Sequence, residues 1–239
     1  MIRFRISSDK GKYARQRAVA FSGFFLLAFF SVSGCIKRIP VVYPPPAGVE
    51  AVEGTGHGLL KGNKVALKGR FAFVCRASGQ GRIEAFDPLG RSAFILLTEG
   101  EREYLIIPAE KIYAEGEAGV FAARFLGLAM GPRQILGLLS GRPAESGFFE
   151  SGAWRLESDS RGRIKLGEKE GFVFEVSRYF EPGTVPREIR FRLGTEGKLI
   201  LKSVRFNTVS GAGAFDTAFL ARFTKKTADE LEAWFADEN

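Results

Sequence analysis

Histidine and cysteine are almost missing from this chain: its 239 residues include one His and two Cys. These side chains supply most catalytic bases, thiol nucleophiles and soft-metal ligands, so their scarcity narrows the available chemistry. The lone histidine, His57, lies in the run Gly54-Thr55-Gly56-His57-Gly58, which reads as a glycine-rich linker. A Ser-His-Asp triad would depend on that one residue without a rigid scaffold. The same run is no phosphate loop, because no Lys-Ser/Thr pair follows it. No His, Cys and Asp residues stand at metal-ligand spacing, and carboxylate pairs such as Glu99 and Glu101 fall in turns. The expectation is a protein that is not an enzyme and holds neither metal nor cofactor. Tyr and Trp are scarce as well, five and two against 23 Phe. The aromatic content is therefore apolar surface without a polar handle, which suits a β-rich core or the wall of a greasy cavity.

There is only one long hydrophobic run. Residues 18–30, AVAFSGFFLLAFF, carry no charge, and residues 1–17 ahead of them hold six basic side chains against one acidic. The run leads into Val32-Ser33-Gly34-Cys35. Together these are a charged n-region, an h-region and a small-residue cleavage site. The segment resembles a bacterial lipoprotein signal, whose lipobox ends in cysteine. That resemblance implies that Cys35 receives a diacylglycerol, that the chain is cut before it, and that two or three acyl chains hold it stably on a membrane. An uncleaved anchor is the other reading, since residues 18–36 are nineteen uncharged positions, just long enough to span. The shortness of the strongly apolar part and the small residues 31–34 favour cleavage. In both readings the remainder leaves the cytoplasm.

Removal of the signal changes the charge balance. Residues 1–34 hold six of the 35 basic and one of the 27 acidic residues, so 29 against 26 remain and the net charge drops from +8 to +3. That is no argument for nucleic acid. With Cys35 a thioether, Cys75 has no partner in the chain. It alternates with Phe71 and Phe73 and reads as a buried, inert thiol.

Residues 36–63 contain Pro44-Pro45-Pro46 and five glycines. They read as a semi-rigid spacer, and the glycines weaken any helix over 49–60. The expected division is a signal at 1–34, a lipidated tether at 35–63 and one domain at 64–239. From residue 64 the period becomes two. Strands are expected over 64–76, 82–87, 92–98, 102–107 and 111–115, with turns at Ser78-Gly79-Gln80-Gly81 and Asp87-Pro88-Leu89-Gly90. Residues 116–142 switch to a helical stripe, Phe121, Phe125 and Leu128, and then a second helix opening at Pro132 and stopping at Gly141. Only Arg124 and Arg133 are charged across 120–140, so this hairpin needs apolar neighbours on more than one side. Strands resume over 153–158, 163–166, 172–180, 187–193 and 198–206. In the last, the inward set passes from Leu199 and Leu201 to Val204 and Phe206, the slip that a bulge causes. A capping box at Thr227 and Glu230 starts a terminal helix.

The fold expected from this order is mainly β (α+β): a half-open antiparallel β-barrel, charged outside and apolar inside, with an apolar helical hairpin lid and a C-terminal helix. Three short stretches then carry a resemblance: Leu67-Lys68-Gly69-Arg70-Phe71-Ala72-Phe73, Phe86-Asp87-Pro88-Leu89-Gly90-Arg91, and Ile135-Leu136-Gly137-Leu138-Leu139-Ser140-Gly141-Arg142-Pro143. They are similar to the opening strand, the "PLG" turn and the lid helix of the LolA/LolB-like superfamily of periplasmic lipoprotein carriers and receptors, nearest the LolB-like outer-membrane lipoproteins. The resemblance implies an apolar cavity that accepts acyl chains of lipids or lipoproteins, at the periplasmic face of the outer membrane, with a periplasmic carrier protein as a partner. The candidate lining is Phe71, Phe73, Ile83, Phe94, Leu96, Phe121, Phe125, Leu138, Leu139, Phe172, Phe174, Ile189 and Phe191. A barrel filled by these same residues would instead suit a scaffold for protein docking in envelope assembly.

Overall fold

The computed structural model describes residues 45–61, 66–141, 147–149, 153–208 and 212–237. Cys35, the signal segment and residues 36–44, 62 and 63 of the expected tether lie outside these residues. Six strands come first: β1 (Ala51–Lys61), β2 (Ala66–Arg76), β3 (Gly81–Phe86), β4 (Ser92–Glu99), β5 (Arg102–Ile107) and β6 (Ile112–Glu117). Helices α1 (Val120–Leu126) and α2 (Pro132–Ser140) follow. Then come β7 (Arg155–Ser158), β8 (Ile164–Lys169), β9 (Phe172–Tyr179), β10 (Pro186–Leu193), β11 (Thr195–Phe206), the short β12 (Thr224–Lys226) and α3 (Ala228–Asp237). All twelve strands form one sheet in the order β12-β6-β5-β4-β3-β2-β1-β11-β10-β9-β8-β7. Every pairing is antiparallel except that of β12 with β6, and the two end strands do not meet. The expected half-open barrel is the observed fold.

The largest difference from the sequence reading is β1. Residues 51–61 are not tether, and the domain does not start at residue 64. They form a central strand, bonded to β2 on one side and β11 on the other. His57 accordingly stands on a strand, opposite Arg70 and Ile200. The period of two is present in β1, but three of its inward positions are Gly54, Gly56 and Gly58, so no apolar alternation announces it. The glycines are needed for close approach. A Cβ on Gly54 would lie 2.3 Å from the Ser203 carbonyl oxygen, and one on Gly56 would lie 2.6 Å from that of Ile200. Across from β1, the expected bulge in β11 is present. Thr55 pairs with Ser203 and Gly56 with Leu201, leaving Lys202 as the extra residue.

The sheet has two apolar faces rather than one. The concave face holds the main core. On the convex face, however, β4 and β5 present Ile95, Leu97, Tyr104 and Ile106, not the charges expected there. They are roofed by Phe215 and Leu220 of two 3₁₀ turns, Ala212–Phe215 and Ala218–Arg222. The continuous apolar run of β4, Phe94 to Leu97, fits this two-sided burial.

Candidate functional site

The concave face and the helices enclose a cavity. From the sheet, Phe71 and Phe73 of β2, Ile83 of β3, Phe172 and Phe174 of β9, Ile189 and Phe191 of β10, and Leu199 and Leu201 of β11 form its floor. Leu126, Leu128, Met130, Ile135, Leu138 and Leu139 form the opposite wall. Nine of the thirteen residues expected at the lining are therefore brought together. The other four are buried elsewhere in the same core. Phe121 and Phe125 lie edge to face at 5.9 Å, and Phe125 packs on Phe235 of α3 at 5.7 Å. They seat α1 on the sheet instead of facing the void. Leu96 borders a separate space of only about 10 Å³ with Ala122, Met130 and Ile135. Phe94 is enclosed by the core.

Six lining residues were not expected. Leu199 and Leu201 sat on the inward face that alternation already marked. Leu128, expected on the stripe of the first helix, lies beyond its end at Leu126; with Met130 it belongs to the connection between α1 and α2, where no period applies, so only tertiary structure places the two.

The α2 helix has the boundaries its sequence dictates. Pro132 opens it and Gly141, at φ 69°, closes it. It is buried on two sides, as its lack of charge requires. Leu138 and Leu139 face the cavity, while Gly137 forms a notch for Phe148, whose Cβ would be 2.6 Å from any Cβ at that position. Phe149 and Trp154 extend this packing to Phe174, with Trp154 5.3 Å from Phe149 and 5.8 Å from Phe174.

The short α1 helix has no capping side chain of its own. Its N-terminus is held from β5. Glu103, 1 % exposed, accepts hydrogen bonds from the backbone N–H of Phe121 at 2.7 Å and of Ala122 at 3.1 Å, and the Thr98 hydroxyl donates to it at 3.4 Å. Burial raises the Glu103 pKa, and these hydrogen bonds only partly oppose it. On the outer side, Arg124 pairs with Asp229 at 2.6 Å and with Glu232, tying α1 to α3. Neither the buried carboxylate nor the arginine latch was legible in the sequence, because each depends on partners far along the chain.

A pH dependence follows from Glu103. Its carboxyl binds protons more tightly in the folded chain than in the unfolded one. Its contribution to stability is therefore greatest below the unfolded value of 4.5 and declines as pH rises through the raised folded value. Glu103→Gln removes that dependence. Urea unfolding between about pH 4 and pH 8 should show the stability of wild type relative to Glu103→Gln falling as pH rises. A difference that is flat, or that grows with pH, refutes the assignment. Glu103→Ala leaves two buried N–H donors unpaired and should cost about 1–3 kcal/mol at low pH, and less as pH rises.

The cavity measures about 60 Å³ and has no polar atom on its lining. Water placed there would have no hydrogen-bond partner, so the space is dry. An apolar cavity of about 150 Å³ is what holds one benzene. The space as it stands is thus smaller than one benzene requires. The sheet side is fixed by pairing across twelve strands. The opposite side is the α1–α2 segment, held by Glu103, Arg124 and packing. Among the described residues, no three His, Cys, Asp or Glu side chains are grouped to hold a metal. Cys75 is fully buried and its thiol is pushed up to about 12, far from a reactive thiolate.

No family model matches the chain, and no curated protein matches it significantly. Solved structures of similar fold exist. A DUF1329 family protein from Desulfovibrio piger is 8% identical with a TM-score of 0.47, over 73% of this chain and 92% of that one. An outer membrane lipoprotein-sorting protein domain from Vibrio parahaemolyticus is 11% identical with a TM-score of 0.44, over 74% and 94%. A LolA superfamily protein from Nitrosomonas europaea is 11% identical with a TM-score of 0.44, over 76% and 94%. Likeness of this degree concerns the course of the chain alone.

Proposed function

We propose that this protein is a lipid-anchored, non-enzymatic binder of acyl chains in the bacterial cell envelope. Its place is the periplasmic face of the outer membrane, in lipoprotein localisation or lipid transfer. The observation that carries this reading is the cavity: wholly apolar, dry, and closed on one side by short helices rather than by strands. A guest that displaces those helices replaces one apolar contact with another. Each methylene it shelters is worth about 0.8 kcal/mol, so ten of them offset roughly 8 kcal/mol of exposure. Handing such a chain from carrier to membrane then needs no catalyst. The signal-like segment supplies the membrane attachment through Cys35, and the acyl chains of lipids or lipoproteins are the cargo, delivered by a periplasmic carrier protein.

Two measurements test the reading. Fluorescent fatty-acid titration of the mature chain should give saturable binding, competed by palmitate. An absence of binding would sink the carrier role and leave the half-barrel as a docking scaffold. Mass spectrometry of the membrane form should find a chain beginning at acylated Cys35. Residues 1–34 still attached would show an uncleaved anchor instead.

A further inference from the structure

Five phenylalanines line the cavity, and four of them share one arrangement. Phe71 pairs across the sheet with Gly56, Phe73 with Gly54, Phe174 with Gly167 and Phe191 with Gly197. In each pair the ring lies down over the glycine. A Cβ at Gly54 or Gly56 would come within 2.7 Å of the Phe73 or Phe71 ring, and one at Gly167 or Gly197 within 2.2 Å of the Phe174 or Phe191 ring. Glycine is depleted from strand interiors because it adds no packing and loses much backbone entropy. Here it recurs at inward positions directly opposite the largest side chains of the floor. A ring resting on a glycine occupies the layer where a Cβ would be. The same ring opposite any other residue must stand away from the sheet, and away from the sheet is the cavity.

We propose that Gly54, Gly56, Gly167 and Gly197 set the bore of the cavity and thereby the length of acyl chain it accepts. This rests on the acyl-binding reading above and adds the residues that decide specificity within it. The glycines act through the rings and do not touch the guest themselves. Two of the four can be tested cleanly. At Gly197 the three atoms nearest a new Cβ all belong to the Phe191 ring, and at Gly167 they belong to Phe174 and Leu156 side chains, so the closest obstruction is side chain and not backbone. At Gly197 the ring must retreat by about 1.2 Å, from 2.2 Å to ordinary contact at 3.4 Å, into a space of about 60 Å³.

The experiment compares palmitate and decanoate binding by the mature chain carrying Cys35→Ser, with and without Gly197→Ala or Gly167→Ala. Each glycine variant should weaken palmitate binding by about tenfold and decanoate binding by less. Adding Phe191→Leu to Gly197→Ala should restore palmitate binding, because the shorter side chain clears the new methyl group. Failure of the unsubstituted chain to bind either acid overturns the acyl-binding reading and this inference with it. If that chain binds but both glycine variants bind palmitate unchanged, the inference alone is overturned. Loss of cooperative melting in both variants also overturns it, since the glycines would then serve the sheet and not the bore.

Discussion

A chain that starts at residue 64 is expected not to fold, whereas one that starts at residue 45 folds with a single cooperative melt. The difference is β1. It lies between β2 and β11 and is hydrogen-bonded to both. Without it the sheet parts into β2–β6 with β12 on one side and β7–β11 on the other. Each half would show a long unpaired edge, a ready site of aggregation. The floor of the cavity would also lose the surface on which Phe71 and Phe73 rest. Circular dichroism and urea melts of the two chains decide the matter. A chain from residue 64 that melts cooperatively at the temperature of the longer one would show β1 to be dispensable. Gly54→Val is a milder form of the same test. Its Cβ meets a backbone carbonyl at 2.3 Å, which no side-chain rotation relieves, so destabilisation of more than about 3 kcal/mol is expected.

Leu138→Glu is expected to abolish acyl binding. Leu138 is buried on α2 and faces the cavity, so the substitution puts a carboxylate against a lining without polar partners. Burying such a charge unpaired is strongly unfavourable. The variant either resists closure of the helices or holds water in a space that was dry. Leu138→Ala separates binding from folding. It should cost about 2–5 kcal/mol of stability, yet it enlarges the cavity and leaves binding in place. Phe125→Glu acts differently, since Phe125 packs on Phe121 and Phe235 outside the lining. It should loosen α1 from α3 and lower stability more than it alters chain-length preference. Arg190→Glu, on the exposed face of β10, is the control, with an effect of about 0–1 kcal/mol and unchanged binding. Palmitate binding by Leu138→Glu at the wild-type affinity would show that the guest site is elsewhere.

The failures of sequence reading share a cause. Alternation identifies a strand by the apolar side chains on its inward face, and β1 has glycines there. The strand's inward volume is filled from its neighbour, by the rings of Phe71 and Phe73. Likewise Phe121 and Phe125 form a helical stripe that points inward, but periodicity cannot tell a residue that seats a helix from one that faces a void. The apolar convex side of β4 and β5 carried a signal in its unbroken run, which alternation treats as a single inward face. Glu103 carried none. A glutamate in a strand following a turn is ordinary until a helix N-terminus is laid over it.

By itself the sequence determined what local chemistry controls. Strand period, the bulge at Lys202, the Pro132 and Gly141 ends of α2 and the capping box between Thr227 and Glu230 each depend on residues a few positions apart. It also determined that the interior would be largely apolar, because 23 Phe against five Tyr and two Trp set that by composition. Only the tertiary structure decided which apolar residues surround a space and which fill one. That choice depends on pairs such as Phe191 with Gly197 and Phe73 with Gly54, where the volume at one position is set by a residue on another strand. No reading along the chain joins such positions, because the hydrogen-bonded register that brings them together exists only once the sheet has formed.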